Sequence, residues 1–367
     1  MHRLFASIIF ALTALAQCRL PDVSPDALSR LTPEQLVDGG HFLRAEKALA
    51  PIVRDQPDDA PAAWLLSRAK AALGEVDDAM KLAEAALAAD PSNAAYHVQV
   101  AAVAGRVAEK SSLLKQLTFA RRARQELDAA AALDAANTEA QWGLMMYFYV
   151  APPLIGGDRN KAIQIGEQMA TLSPAPGRYY QGRLAIQMKD PDKAEAFFRQ
   201  SEIENPLSFD TAAALANLYM EQKPDQARAE KWACQALHAD SVRGDAWALL
   251  AKVYAMCGCW TEAIAIAQQA DAIAPENRAA WYAIASVAVA RGEQLDMAVD
   301  SLRKYLAQPA EGDQPAEALA HAQLGMALSK QGKPAEAIAE LKTAVAQDGS
   351  LDNAKAEIKR LNAEMRH

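Results

Sequence analysis

Cys257-Gly258-Cys259 is the part of this chain whose residue types come closest to chemistry, with Trp260 directly behind it. Two cysteines one residue apart can close a local disulfide, and a thiolate of lowered pKa there would exchange with other thiols. A structural disulfide, free thiols and a redox or metal site all remain open for this pair. Cys234, upstream, can also reach one of these thiols if the Cα spacing allows it. His41, His97, His238 and His321 are scattered and form no zinc-binding spacing. There is no nucleophile elbow, P-loop or dinucleotide fingerprint. Asp77 and Asp78 precede an apolar helical run, where carboxylates favour exposed backbone N–H groups. The sequence therefore offers no catalytic residue set, cofactor or metal ligand set, and reads as non-catalytic. A thiol-redox component or enzyme using Cys257 and Cys259 is the alternative.

The surroundings of the Cys-Gly-Cys turn recur along the chain. Gly74, Ala79, Ala86 and Pro91 stand in the same frame as Gly258, Ala263, Ala270 and Pro275. Pivotal alanines at 45, 79, 123, 162, 194, 229, 263, 298 and 337 mark a repeat of roughly 34 residues, enough for two four-turn helices and two short connections. Trp247, Leu250, Ala251 and Tyr254 give one apolar helical stripe, and Ala263, Ile266, Ala267 and Ala270 the next. Small residues such as Gly182, Ala251 and Gly325 admit a close helix approach. Gly40, Gly74, Gly258, Gly292 and Gly332 fall in the hairpin turns, while Pro57, Pro91, Pro206 and Pro275 end second helices.

The unit "GDAWALLAKVYAMCGCWTEAIAIAQQADAIAPEN" resembles the tetratricopeptide repeat, with Trp247, Leu250, Ala251, Tyr254, Gly258, Ala263, Ala270 and Pro275 at its signature positions. Ser67 and Met145 depart from it, replacing a small residue, and Ser241 replaces a terminating proline. The resemblance implies an all-α, right-handed superhelical solenoid of about eight or nine tetratricopeptide-like helix hairpins with a C-terminal capping helix. The expected division is a signal peptide at 1–16, an N-terminal linker at 17–32, the solenoid at 33–351 and the cap at 352–367. Irregular insertions are expected near 105–122 and 151–158.

In such a solenoid the first helices line a concave face. Trp142, Met146 and Tyr149 share one helical face, with Met145 and Phe148 on the neighbouring core stripe. Tyr179 and Arg183 take the corresponding places one unit later, and Asn217 follows. Arg68 and Arg106 extend the polar side toward the N-terminus. Aromatic area with arginine to grip carboxylates suits a protein or extended peptide. The lysine–asparagine set with which the family clamps chaperone tails is absent.

The formal charge of −8 argues against nucleic acid as the partner. A basic stretch, Arg106, Lys110, Lys115, Arg121, Arg122 and Arg124, runs against that balance. At the N-terminus, Arg3 precedes an apolar run from Leu4 to Ala16 ending Ala14-Leu15-Ala16, as in a bacterial secretory signal. The run is too short to favour a permanent span, so no transmembrane span is expected in the mature chain. The expected location is the periplasm or the medium. The alternative is a lipoprotein anchored through Cys18, giving peripheral or lipid-anchored membrane association. Intact-mass and N-terminal analysis of protein from its native host should find a mature chain beginning near Gln17, and retention of Met1 would refute export.

Overall fold

The computed structural model describes residues 18–24, 26–109, 111–312 and 314–366; the expected signal peptide lies outside them, as does Lys110. Nine helical hairpins follow one another among the described residues. They are α1 (Pro33–Asp38) with α2 (Phe42–Asp55), α3 (Ala60–Ala72) with α4 (Val76–Ala89), and α5 (Ala94–Glu109) with α6 (Leu113–Leu133). Next come α7 (Thr138–Val150) with α8 (Arg159–Leu172), α9 (Pro174–Gln187) with α10 (Pro191–Glu204), and α11 (Phe209–Glu221) with α12 (Gln226–Ala239). The last are α13 (Gly244–Cys257) with α14 (Trp260–Ile273), α15 (Ala279–Arg291) with α16 (Leu295–Tyr305), and α17 (Glu317–Lys330) with α18 (Pro334–Gln347). A final helix, α19 (Asp352–Glu364), buries Ala354 and Leu361 on the open end. The chain is an all-α solenoid of repeated hairpins with a closing helix. No helix among the described residues is long and apolar enough to cross a membrane.

Short polar residues start many of these helices. The side chains of Asp59, Asn137, Asp158, Asp190, Ser208 and Asp225 each accept from a first-turn N–H, satisfying donors that the helix itself cannot. Within hairpins the contact is close. Ala45, Ala79, Ala162, Ala194, Ala263, Ala298 and Ala337 are wholly buried. A side chain added at Gly182 would lie 2.5 Å from the Phe198 ring, and one at Gly325 2.5 Å from Leu341. Ala123 departs from the pattern and stays half-buried. The 21-residue α6 takes up extra residues there, and its closest approach is Leu127 against Gly143. Ser67, at a place where the repeat prefers a small residue, is fully buried but satisfied: it donates to Ala79 O and accepts from Gln99.

Most consecutive first helices lie close together, as α9 to α7, α11 to α13, and α13 to α15, and closer than consecutive second helices among the described residues. The stack therefore curves with the odd-numbered helices inward. This curvature returns the N-terminus to the later hairpins. The segment expected as a linker is instead a packed strap, with Val23 and Leu28 buried in the same apolar cluster as α11 to α15. Cys18 N–H donates to Tyr254 Oη, which in turn donates to the buried Glu230. His41 Nε2–H donates to Val242 O at 2.9 Å, Leu43 N–H to Glu311 Oε1 at 2.7 Å, and Arg44 pairs with Glu276. All three acceptors lie in connections that leave a second helix.

This clasp contains groups that water no longer solvates. Burial lowers the His41 pKa, against Glu276, so the imidazole is held neutral. Burial pushes the Glu311 carboxyl up to about 7, helped by the nearby charges of Glu276 and Asp245 and opposed by the Leu43 and Phe42 N–H groups. A raised carboxyl costs nothing below its unfolded pKa, near 4.3, and its cost grows as pH rises to about 7. The penalty is on the order of 3 kcal/mol above that window. Glu311→Gln should therefore gain thermal stability relative to wild type on going from pH 5 to pH 8, measured by melting under both conditions. An unchanged difference would show that Glu311 is ionised in water in the folded chain.

Candidate ligand-binding groove

Between α9, α11 and α13 lies an open groove of about 550 Å³, within the range of known ligand sites. Helical spacing builds its walls. Tyr179, Arg183 and Gln187 follow at i, i+4 and i+8 on α9, and Asp210, Asn217 and Glu221 share one face of α11. Ala213 and Ala214 keep the floor low between them. From α13 come Asp245 and Leu249, and its N-cap residue is Arg243.

The two arginines are held by aromatic faces. The Arg183 guanidinium lies 4.5 Å from the Trp142 ring centre and 5.8 Å from that of Tyr179. Arg243 lies 4.4 Å over Phe209, and its Nε is buried with no hydrogen-bond partner. Such contacts attract a cation without neutralising it. Behind them Trp142 stacks on Tyr180 at 5.0 Å, and Tyr180 meets Tyr179 edge-on. Burial raises both phenols, Tyr180 to about 12, so both remain neutral. Two guanidinium groups thus share one groove lining with Asp210, Asp245 and Glu221, the last paired with Lys252 at 2.7 Å.

Of the residues singled out in the sequence, Tyr179, Arg183 and Asn217 line this groove, and Trp142 joins it through Arg183. Met146 and Tyr149 do not line it. The Tyr149 hydroxyl donates to Gln187 O at 2.8 Å and its ring lies against Arg159, so it ties α7 to the end of α9. Arg68 is distant, stacked on Trp64 and paired with Asp38 at 2.9 Å; Arg106 sits in the last turn of α5. The loop after α7 is held by Tyr147, whose hydroxyl donates to Ile155 O. Much of the basic stretch is neutralised locally. Arg122 pairs with Glu84, and Arg124 pairs with Asp128 while covering Phe148. Sequence reasoning missed Tyr180, Phe209 and Arg243. Arg243 occupies a connection, and only its place directly before the helix-opening Gly244 marked it.

The cysteines pair otherwise than expected for Cys234. Its sulfur is bonded to Cys18, while Cys257 is bonded to Cys259. The strap lays Cys18 against Cys234 of α12, with Cα atoms 5.6 Å apart. Cys18, Cys234 and His238 converge with metal-ligand spacing, but the disulfide uses both sulfurs.

The segments 36–103 and 318–351 match families described as tetratricopeptide repeat. A search of curated proteins found no match. Among solved structures, yeast Tom70 is similar at 13% identity and a TM-score of 0.50, over 94% of this chain and 82% of that one. A thermophilic TPR protein from Thermus thermophilus aligns at 18% identity and a TM-score of 0.44, over 51% and 97%. The Cut9–Hcn1 APC/C hetero-tetramer aligns at 16% and 0.48, over 92% of this chain and 58% of that one.

Replacing Cys18 and Cys234 by serine should lower unfolding free energy by about 2–5 kcal/mol, read from denaturant melts, because their bond closes a very long loop. An unchanged midpoint would mean that the strap is held without it. Two segments, 36–103 and 318–351, are thus similar to the tetratricopeptide repeat within an all-α solenoid of repeated hairpins.

Proposed function

We propose that the protein is a non-catalytic scaffold of a bacterial envelope, binding an extended segment of another protein along the inner face of α7 to α13. The observation that carries this reading is the groove itself. Three successive inner helices present Tyr179, Arg183, Asn217 and Arg243 to one open channel, and Arg243 keeps a buried donor unused. An extended peptide offers backbone carbonyls and carboxylates to the arginines and side chains to the aromatic floor. On the α11 wall Asp210 adds selectivity for segments that also carry a basic residue, whereas Glu221 is already paired with Lys252 at 2.7 Å.

Location outside the cytosol is part of the proposal. The N-terminal apolar run supports it, as do two disulfide pairings, which persist where thiols are not kept reduced. The Cys18 bond to Cys234 favours a free exported form over a lipoprotein, since a sulfur in a disulfide cannot also carry a lipid thioether.

A photo-crosslinking amino acid placed at the exposed Asn217 should capture a defined protein segment, while one at the exposed Ile203 of α10 should not. Trp142→Ala, Arg183→Ala or Arg243→Ala, each checked for helical content, should then weaken binding of that segment by about 2 kcal/mol or more. Equal capture from both positions, or unchanged affinity in all three folded variants, would remove this groove as the recognition surface.

A further inference from the structure

The Cys257–Cys259 disulfide stands apart from the groove, and the scaffold reading leaves it without a role. Cys257 ends α13, Gly258 adopts the left-handed conformation at φ +80°, and Cys259 caps α14. The same left-handed glycine turn closes other hairpins at Gly40, Gly74, Gly292 and Gly332, where no cysteine flanks it. The turn geometry therefore does not need the disulfide. Its own backbone bonds, Gly258 N–H to Ala255 O and Cys259 N–H to Tyr254 O, are complete. A bond spanning two residues also restrains almost nothing in the unfolded chain. Both cysteines are half-exposed residues on a hairpin tip, with Cys259 packed partly against the core.

The neighbours favour a negative charge at this tip. Arg291 reaches over from the end of α15 and donates to Met256 O at 2.9 Å. Its other terminal nitrogen lies 3.5 Å from where a Gly258 side chain would begin. No side chain caps the first turn of α14, so its N–H groups face Cys259. Glu262 in that turn and Glu293, paired with Arg291 at 3.1 Å, oppose the effect. Trp260 beside the pair is half-buried and offers apolar contact to an incoming chain.

We propose that Cys257–Cys259 is a thiol–disulfide exchange site that takes two electrons from the dithiol of a protein substrate. A substrate thiolate attacks Cys257 Sγ, the S–S bond breaks, and its electron pair leaves on Cys259 Sγ at the start of α14. The second substrate thiolate attacks the substrate sulfur of the mixed disulfide and releases Cys257 as a thiolate. The substrate becomes a disulfide, the cysteine pair becomes a dithiol, and the two substrate protons pass through water to the new thiols. Arg291 acts as a positioning residue that stabilises the departing thiolate.

The test uses Cys18→Ser/Cys234→Ser protein, in which only this pair remains, mixed with a synthetic peptide bearing two thiols. Mass spectrometry should find one peptide disulfide for each Cys257–Cys259 bond lost, with the helical circular dichroism unchanged. Arg291→Gln should shift the equilibrium with dithiothreitol toward the protein disulfide by about two- to fivefold. If the double variant does not fold, site-resolved alkylation of the full chain gives the same readout. The proposal is overturned if the pair stays oxidised until the helices melt, or if it exchanges like an isolated 254–262 peptide with Arg291→Gln unchanged. Such a failure leaves the groove reading intact.

Discussion

Ala45, Ala79, Ala162, Ala194, Ala263, Ala298 and Ala337 lose all contact with water because a second helix can approach the first only where its side chain stops at Cβ. Opposite Ala79 and Ala337 the first helices supply a satisfied serine, Ser67, and Gly325, while Met145 takes the corresponding place in α7. A larger group at such a site must displace a packed helix, which costs typically about 1–3 kcal/mol in a filled core. The repeated close approach sets the angle within each hairpin, and the contacts between successive first helices set the angle from one hairpin to the next. Curvature is the sum of both. The groove exists because those small angles accumulate with α9, α11 and α13 on the inside.

The frame was legible in the sequence because helical periodicity is local. An alanine every 34 residues or so, with a glycine before it and a proline after, states which face of each helix is covered. That logic put Tyr179, Arg183 and Asn217 on inner helices, where they line the groove between α9, α11 and α13, and put Met145 and Phe148 on the core stripe, where both are buried. It failed for Tyr149, whose helical face is right but whose hydroxyl is taken by the Gln187 carbonyl. It also failed for Ala123, since an extra stretch in α6 moves the closest contact to Leu127. Periodicity says nothing about connections, and so it gave no weight to Arg243. The partner of Cys234 was illegible for a different reason. It depends on rotation accumulated over several hairpins, which no window of sequence contains.

That accumulated rotation gives the strap its role. An open solenoid has contacts only between neighbours, so its ends fray more readily than its middle. Here the first hairpin also reaches the connections after α12, α14 and α16, through His41, Arg44 and the Leu43 amide. Ordering the strap costs chain entropy, which buried Val23 and Leu28 help offset. The clasp converts a chain of local contacts into a structure in which distant hairpins share stability. Its neutral His41 and raised Glu311 are the electrostatic cost of drying that junction.

A closed curl also bears on what the inner face can hold. A groove fixed at both ends adapts less to its occupant, so recognition rests on side chains already in place. Trp142, Tyr179 and Phe209 hold the two guanidinium groups against ring faces before anything binds, which removes part of the rotamer entropy that an arginine otherwise loses on binding. The carboxylates of Asp210 and Glu221 stand on α11, between the arginine of α9 and the arginine at the start of α13. Glu221 is paired with Lys252 at 2.7 Å, so Arg183, Asp210 and Arg243 supply the positive, negative and positive groups on the three successive elements. Alternation of that kind rewards one register of an extended chain and penalises a shift by one helix, because the shifted chain places like charges together. Under the proposed scaffold reading, selectivity would follow from the order of charges along the inner wall more than from its apolar area.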